Sequence, residues 1–406
     1  MIPEKINIVG LGYIGLPTAA VLASNGYRVF GCDTNTHVVD TVNRGEIHIV
    51  EPGLEEAVKS SVKAGLLTAH NEPQAADVHF ICVPTPFLSR GGIPQPDISY
   101  VLDAASKIAP LLKPGNAVIL ESTCPIGTLE EIYQHIEGLG APVTECWFAY
   151  CPERVLPGRI MIELTENDRI VGGHDQDAAS EIAEFYKTFV SGEVHQTDGA
   201  TAEMCKLAEN SFRDVNIAFA NELSMIAATN DVDISELIKV ANLHPRVNIL
   251  SPGPGVGGHC IAVDPWFLVA ADPSRARLIQ RAREVNLAKT DWVIDQICSS
   301  VATFRAERMR SPVVTCLGLT FKPDIDDVRT SPALQIVSEL KGRGITLRLV
   351  EPNLDEFSDH RLSSLADGLN EGDLIVILVA HTEFKENDVI RQIRDKAAMD
   401  FCGVLS

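Results

Sequence analysis

Residues 5–15 read KINIVGLGYIG, a short apolar run followed at once by three glycines in a G-x-G-x-x-G pattern. The run Lys5–Val9 predicts a buried strand, and the residues after the glycines predict a helix. In that setting Gly10 permits a tight turn, Gly12 lets the backbone approach a pyrophosphate, and Gly15 lets helix and strand pack closely. The free N–H groups of the helix N-terminus then face the phosphates, so the stretch predicts a dinucleotide site.

Asp33 follows the second predicted strand, residues 27–32, where a carboxylate accepts a ribose 2′-hydroxyl. The same charge repels a 2′-phosphate, which favours NAD over NADP. A glycine turn without a ligand is the alternative, but the combination of strand, glycines, helix and acid favours the cofactor site. Thr85 and Thr123 close later strands and are placed to touch the cofactor, although ordinary turn hydroxyls explain them equally well.

The rest of the chain alternates in the same way and predicts an α/β fold, with two Rossmann-like parallel-sheet domains joined by a helical middle domain. We place the NAD-binding domain at residues 1–195, the helical middle or dimerisation domain at 196–310, and a second sheet domain at 311–406. Further strands are predicted where short apolar runs occur, at residues 78–83, 117–120, 170–172, 313–317, 345–350 and 374–380.

The 406 residues include 34 Lys and Arg against 55 Asp and Glu, a formal charge of −21. A field of that sign repels nucleic acid and anionic membrane surfaces, so neither is expected as a partner. No apolar run reaches spanning length, and the start lacks the pattern of a signal peptide. The ten cysteines never form a CxxC pair, which favours neither a metal site nor disulfides and predicts a cytoplasmic location.

A predicted long helix after residue 200 carries Glu203, Lys206, Asn210 and Arg213 at offsets that place them on one face. The opposite face is expected to be apolar, with Met204, Leu207, Phe212 and Val215. A polar face often meets only solvent, and that interpretation stays open. If the face lines a cleft, its ammonium, amide and guanidinium groups suit a polyhydroxylated, anionic ligand.

Four glycines in residues 253–258 precede Cys260, and Asp264 follows four residues later. Glycines let backbone amides crowd a ligand at the sulfur, so we interpret Cys260 as a nucleophile rather than as a buried structural cysteine. A thiolate beside a nicotinamide site suits aldehyde oxidation: a thiohemiacetal forms first, hydride removal gives a thioester, and water releases the acid.

The segments GLGYIGLP, VPTP, EST, CPER, EMCKLAEN and GGHCIAVDP occur here in the order found in the UDP-glucose/GDP-mannose dehydrogenase family, and the chain resembles that family over essentially its whole length. The resemblance implies two successive NAD-dependent oxidations at C6 of a UDP-sugar. Pro157 and His259 stand where glucose-type members have glutamate and serine. Those differences favour an acetamido sugar. The resemblance of the segments AYCPERVLPG and ENSFRDVNIAFANELS points within the family to UDP-N-acetyl-D-mannosamine, with UDP-N-acetylglucosamine, UDP-glucose and a non-catalytic NAD/UDP-sugar sensor as alternatives.

The resemblance also implies roles for individual residues. Cys260 is the expected nucleophile, Lys206 the acid/base or oxyanion-stabilising group, and Asn210 and Asp264 the residues that order a water. Arg246 is expected to reach the site of a neighbouring subunit in a homodimer or a higher even oligomer. NAD is expected to contact Tyr13, Ile14, Asp33, Thr85, Thr123 and Arg329. The UDP-sugar is expected to contact Arg154, Val155, Lys206, Asn210, Arg213, His244, Arg246, Gly257, Phe321 and Lys322.

Overall fold

The structure is a computed structural model that describes residues 3–88, 92–258, 260–354 and 361–406. Contacts between residues divide the chain into two compact units. The first unit runs to Glu209 and includes Trp266–Ala271, and the second comprises Asn210–Pro265 and Asp272–Ser406.

Within the described residues, the first unit contains an eight-stranded sheet and a two-stranded hairpin. Its strands are β1 Lys5–Val9, β2 Arg28–Cys32, β3 Leu67–His70, β4 Val78–Ile81, β5 Phe87–Leu88, β6 Gln95–Pro96, β7 Ala117–Leu120, β8 Trp147–Tyr150, β9 Arg169–Gly173 and β10 Val194–Asp198. The large sheet has the order β10-β9-β8-β7-β4-β1-β2-β3, and β5 pairs with β6. The pairings in the large sheet are parallel except for that of β8 with β9, which is antiparallel.

Helices cover both faces of this sheet, which is why its central strands are apolar on both sides. They are α1 Gly15–Ser24, α2 Thr36–Asn43, α3 Leu54–Lys63, α4 Ser99–Ile108, α5 Thr128–Gly138, α6 Ile160–Glu166 and α7 Gln176–Tyr186. Alternate residues enter different cores: Ile8 and Phe80 pack in one, whereas Val9 and Ile81 pack in the other. The carboxyl ends of β1, β4 and β7 are thereby fixed side by side.

The helix α8, Gly199–Thr229, begins in the first unit and ends in the second. The remaining helices are α9 Ile234–Ala241, α10 Asp264–Ala271, α11 Arg277–Arg308, α12 Pro332–Gly342, α13 Leu365–Glu371 and α14 Asn387–Arg394. The second sheet consists of β11 Val313–Leu317, β12 Thr346–Val350, β13 Leu374–Ile377 and β14 Ala397–Asp400. Its order is β12-β11-β13-β14, and its pairings are parallel.

The predicted fold class is confirmed: two sheets of parallel type flank a helical stretch. The antiparallel pairing of β8 and β9 departs from the expected parallel sheet, because the chain reverses direction at one edge of the first sheet. The domain boundaries near residues 195 and 310 stay a prediction. Across the described parts of the chain, no helix has both the length and the apolar character needed to span a membrane.

The surface of α8 differs from the amphipathic pattern predicted for it. Glu203 and Asn210, expected on a polar face, are buried, whereas Met204 and Phe212, expected on the apolar face, are 52% and 70% exposed. Buried polar groups need hydrogen-bond partners, so these polar residues of α8 make hydrogen bonds inside the protein. Its exposed apolar residues are left without cover in the single chain.

Candidate active site

The glycine turn between β1 and α1 leaves space at one glycine and none at the other two. Gly10 has a φ of +96°, and an added Cβ there would lie 2.5 Å from the Cys82 carbonyl oxygen. A Cβ on Gly15 would overlap the carbonyl oxygen of Gly10. At Gly12 a Cβ would meet nothing within 4 Å. Open space in front of that backbone fits the close approach of a pyrophosphate.

Asp33 lies at the carboxyl end of β2 and is bonded to this turn. Its Oδ2 accepts the N–H of Leu11 at 3.0 Å, and its Oδ1 accepts the N–H of Asn35 at 2.8 Å. Each carboxylate oxygen retains acceptor capacity for a ribose hydroxyl. Tyr13 and Ile14 are partly exposed in the same turn. The acceptor oxygens of Asp33 and the open space at Gly12 therefore fit an NAD nucleotide.

Thr85 and Thr123 are brought together at the ends of β4 and β7. The hydroxyl of Thr85 donates to the carbonyl oxygen of Thr123 at 2.6 Å, and the hydroxyl of Ser122 donates to that of Val83 at 2.7 Å. These bonds join two strand ends at the edge where ligands of such sheets bind.

Glu121 is a buried carboxyl group directly after β7, at the same edge of the sheet. No role was predicted for it from the sequence. It accepts hydrogen bonds from Tyr186 at 2.9 Å, Thr18 at 3.3 Å and Cys82 at 3.5 Å. Burial raises the pKa of Glu121 to about 7. Its bond to Thr18 joins β7 to the helix α1 that follows the glycine turn. The only sequence signal was its place before Ser122 and Thr123.

A second cluster of the first unit gathers cations around Glu153. Arg169 and the backbone N–H of Arg154 donate to the carboxylate of Glu153, each at 2.6 Å. Lys206 donates to the carbonyl oxygen of Glu153 at 2.5 Å, and Arg154 pairs with Glu209 at 3.1 Å. Three predicted substrate residues, Lys206, Arg154 and the adjacent, partly exposed Val155, are thus placed together.

Glu203, one turn before Lys206, has a structural role. Its carboxylate accepts the N–H groups of Gly127 at 2.6 Å and Leu129 at 2.8 Å, at the start of α5. The orphan N–H groups of a helix N-terminus are satisfied by such acceptors. Glu203 was predicted to lie on the polar face of α8, and in the structure it joins α8 to the start of α5.

In the second unit, Asn210 and Asp264 are joined by a buried hydrogen bond. The Nδ2 of Asn210 donates to the Oδ2 of Asp264 at 2.6 Å, and both residues are less than 10% exposed. The carbonyl oxygen of Cys260 accepts the N–H groups of Val263 at 2.9 Å and Asp264 at 2.8 Å. Cys260 is partly exposed, unlike the buried Cys316. The proposed nucleophile and Asp264 therefore lie in one short turn, and Asn210 of α8 is bonded to that turn through Asp264.

The glycine-rich loop before Cys260 packs tightly on the segment that contains Phe321. A Cβ on Gly257 would lie 2.8 Å from the Cβ of Phe321, and one on Gly258, where φ is +84°, would lie 2.8 Å from its ring. The hydroxyl of Thr330 donates to the carbonyl oxygen of Gly258 at 3.0 Å. Gly257 and Phe321, two predicted substrate residues, are thus in direct contact, and Lys322 is next in the chain.

Other predicted residues of the second unit are not gathered into this cluster. The guanidinium of Arg329 donates to the carboxylate of Asp327, with the shortest bond at 2.5 Å. Arg213, His244 and Arg246 are exposed. His259, which differs from the glucose-type pattern, lies outside the described residues. No group of three or more potential metal ligands is found among the residues that the structure describes.

Comparisons with known proteins agree along the whole chain. Models of the UDP-glucose/GDP-mannose dehydrogenase family match its NAD-binding domain at residues 4–190, its central domain at 200–288 and its UDP-binding domain at 315–406.

Individual relatives are similar over nearly their full length. The chain is 51% identical to UDP-N-acetyl-D-mannosamine dehydrogenase of Escherichia coli K12 over 400 residues, 94% of each chain. It is 48% identical to the NDP-N-acetyl-D-galactosaminuronic acid dehydrogenase of Ralstonia nicotianae, over 99% of this chain and 96% of that one. The native structure of UDP-N-acetyl-mannosamine dehydrogenase from Staphylococcus aureus matches with a TM-score of 0.87 and 38% sequence identity, over 99% of this chain and 95% of that one.

Proposed function

We propose, from the premise that this chain belongs to the UDP-glucose/GDP-mannose dehydrogenase family, that it oxidises C6 of UDP-N-acetyl-D-mannosamine to the carboxylate. The chain is an NAD-dependent nucleotide-sugar dehydrogenase with the family's NAD-binding and UDP-binding domains. The observation that carries the substrate assignment is the 51% identity, over 94% of both chains, to a relative named for that sugar. The product is UDP-N-acetyl-D-mannosaminuronate.

The reaction removes four electrons in two oxidations. One alcohol, two NAD and one water give one carboxylate, two NADH and three protons. NAD, when bound, accepts one hydride in each oxidation. Between them, the Cys260 thiolate adds to the C6 aldehyde to form a thiohemiacetal, whose oxidation leaves a thioester on the sulfur. Hydrolysis of the thioester then frees the cysteine and releases the acid.

The residues around these steps supply protons and charge. The side chain of Lys206 takes up the proton of the C6 hydroxyl when it is a neutral amine, or stabilises the oxyanion when it is an ammonium, and the carbonyl oxygen of Glu153 orients it. The hydrogen bond between Asn210 and Asp264 fixes these two side chains, which together order the hydrolytic water. The UDP-sugar contacts expected in the second unit are Gly257, Phe321, Lys322 and Arg213, and those expected in the first unit are Arg154 and Val155.

The decisive experiment is turnover on UDP-N-acetyl-D-mannosamine, UDP-N-acetyl-D-glucosamine, UDP-N-acetyl-D-galactosamine and UDP-glucose, measured side by side with NADH counted per sugar consumed. We expect the mannosamine substrate to have the highest kcat/KM and to yield two NADH. A higher kcat/KM for another sugar would overturn the substrate assignment. One NADH per sugar would overturn the four-electron scheme, and no turnover on any sugar would favour a sensor.

Replacement of the sulfur tests the covalent step. Cys260→Ser should lower acid formation by roughly three orders of magnitude or more, because a neutral hydroxyl is a poor nucleophile beside a thiolate. NAD affinity, measured by fluorescence titration, should stay unchanged. The matched control is Cys298→Ser, on the partly exposed Cys298 of α11, which should retain wild-type turnover. Substantial acid formation by the Cys260 variant would remove the thioester from the mechanism.

We also propose that two copies of the chain pair through the second unit. On α8, Phe212, Phe219 and Ile226 are more than half exposed at seven-residue spacing, so they form one apolar stripe. None of the residues of α9 is buried, and Leu243 is 78% exposed. Apolar surface of this kind is normally covered in a homodimer. The exposed His244 and Arg246 follow α9 directly, which suits a role for Arg246 in the partner's site.

A further inference from the structure

The segment that carries Phe321 and Lys322 is held in place by a buried histidine and a buried glutamate. His381 and Glu351 have side chains that are 1% and 0% exposed, and the Nε2 of His381 lies 3.1 Å from the Oε2 of Glu351. Both lie in the second unit, just beyond the ends of β13 and β12. Neither was singled out by the sequence, and neither has a role in the reaction steps above.

Glu351 fixes the residues that precede Phe321. Its Oε2 accepts the N–H groups of Leu319 at 2.7 Å and Thr320 at 3.2 Å. The hydroxyl of Thr320 in turn donates to the carbonyl oxygen of Lys322 at 2.9 Å. Burial alone would raise the pKa of Glu351, but the hydrogen bonds from His381 and from the N–H groups of Leu319 and Asn353 lower it below its ordinary value. The carboxylate is therefore ionised and acts only as an acceptor.

His381 fixes Asp324, which lies just after Phe321 and Lys322 in the chain. The backbone N–H of Asp324 donates to its Nδ1 at 2.9 Å, and the side-chain amide of Asn353 lies at the same distance. A backbone N–H can only donate, so Nδ1 is an acceptor and the ring proton is on Nε2, facing Glu351. Asp324 has a left-handed φ of +60°, a conformation that costs free energy outside glycine. The bond to His381 offsets that cost.

We infer that His381, oriented by Glu351, is a positioning residue for UDP-sugar binding. The inference rests on the proposed function, because it assumes that Phe321 and Lys322 contact the UDP-sugar. The pair pins Leu319, Thr320 and Asp324, so the two ligand-binding residues are held from both sides. Phe321 also packs against Gly257 and Gly258, so its position affects the loop that leads to Cys260.

The test compares two replacements of one side chain. Phenylalanine also has a flat aromatic ring but lacks both nitrogens. In His381→Phe the N–H of Asp324 therefore loses its acceptor. Asparagine places Oδ1 near the position of Nδ1 and restores that acceptor. We expect His381→Phe to raise the KM for the UDP-sugar and the Kd for UDP, measured by calorimetry, by roughly 10- to 100-fold. His381→Asn should stay within about threefold of the wild type.

Two further readouts separate positioning from general stability. The KM for NAD and the NAD affinity should be unchanged in both variants, since the glycine turn lies in the other unit. His79→Phe, at a buried histidine of β4, is the matched control and should leave the Kd for UDP unchanged. Wild-type UDP affinity in His381→Phe, or equal losses in the Phe and Asn variants, would overturn the inference. If the wild-type protein itself binds no UDP, the proposed function fails instead.

Discussion

Glu121 is a carboxyl group buried beside the glycine turn, with hydrogen bonds to Tyr186, Thr18 and Cys82. Its pKa is raised to about 7, mainly by burial, although the nearby Arg169 acts in the opposite direction. The folded protein therefore retains a proton on this group between pH 4.5 and 7, where the unfolded chain has lost it. Stability from this residue is lost as the pH rises through that window.

Glu121→Gln should remove this dependence. The amide keeps the shape of the carboxyl group, accepts from Tyr186 and can donate to the Thr18 oxygen. We expect the variant to exceed the wild type in free energy of unfolding by about 1–3 kcal/mol at pH 8, and the difference to shrink toward pH 5. Urea denaturation at both pH values measures it.

Glu351→Gln is the control, and its expected change in stability at pH 8 has the opposite sign. The pKa of Glu351 is lowered, so its stabilisation is present above its unfolded pKa and is lost only at acidic pH. This variant should be less stable than the wild type at pH 8. A gain in both variants, or a loss in Glu121→Gln at pH 8, would contradict the assigned environments.

For individual residues, the sequence predicted the features that depend on spacing within a short stretch of the chain. The glycine turn and Asp33 depend on neighbours within one βαβ unit, and both are formed as expected. The pairing of Glu153 with Arg169 escaped prediction, because it depends on the antiparallel contact of β8 with β9. Glu351 and His381 are 30 residues apart in the chain, and only the second sheet brings them together.

Among the elements, α8 and α11 show how a polar helix face can be buried. Arg283 donates to Asp214 at 2.6 Å, and Asn286 donates to the same carboxylate at 2.8 Å. Lys289, 2% exposed, donates to the hydroxyl of Ser224 at 2.7 Å and lies 3.8 Å from the ring centre of Trp292. Burial lowers the pKa of Lys289 to about 7.

Lys289→Met tests that environment. Between pH 7 and 10.5 the unfolded chain holds a proton on this lysine that the folded protein releases, so wild-type stability from this group rises with pH. Methionine removes the cost of burying the charge but also the bond to Ser224. The free energy of unfolding of the variant, relative to the wild type, should be highest at pH 7 and fall by about 1–3 kcal/mol by pH 9.5.

The control for this change is Lys341→Met, on the exposed Lys341 of α12. This variant makes the same replacement at a solvent-exposed side chain, so a change with pH that both variants share would not come from the burial of Lys289. A pH-independent difference for Lys289→Met would show that the lysine is hydrated in the folded protein.

The strands that the sequence missed are mostly edge strands. β3 and β10 lie at the two ends of the first sheet, and β14 lies at one end of the second. An edge strand faces solvent, so β10 reads VHQTD and lacks the apolar run that identified central strands such as β7. β8, an interior strand reading WFAY, was missed although its composition is strand-like.

For the whole molecule, the charge of −21 has to be reconciled with an anionic substrate. The cations that the family resemblance implies for UDP-sugar binding are Arg154, Lys206, Arg213, Arg246 and Lys322. Binding of a diphosphate by a locally basic site in an acidic protein depends on these few groups, since the overall field opposes the ligand. Arg246 differs from the others, because it follows the exposed apolar helix α9.

Mixing two inactive variants tests whether Arg246 acts across the dimer. Cys260→Ser keeps Arg246, and Arg246→Ala keeps Cys260, so a heterodimer contains one site with both groups if the arginine acts in trans. Random pairing should then restore about a quarter of wild-type turnover, because half of the dimers are mixed and each has one complete site. If Arg246 serves its own subunit, the mixture stays inactive and the proposal is wrong. Cys260→Ser mixed with Lys206→Ala is the control: both residues are expected to serve the same subunit's site, so no turnover should return.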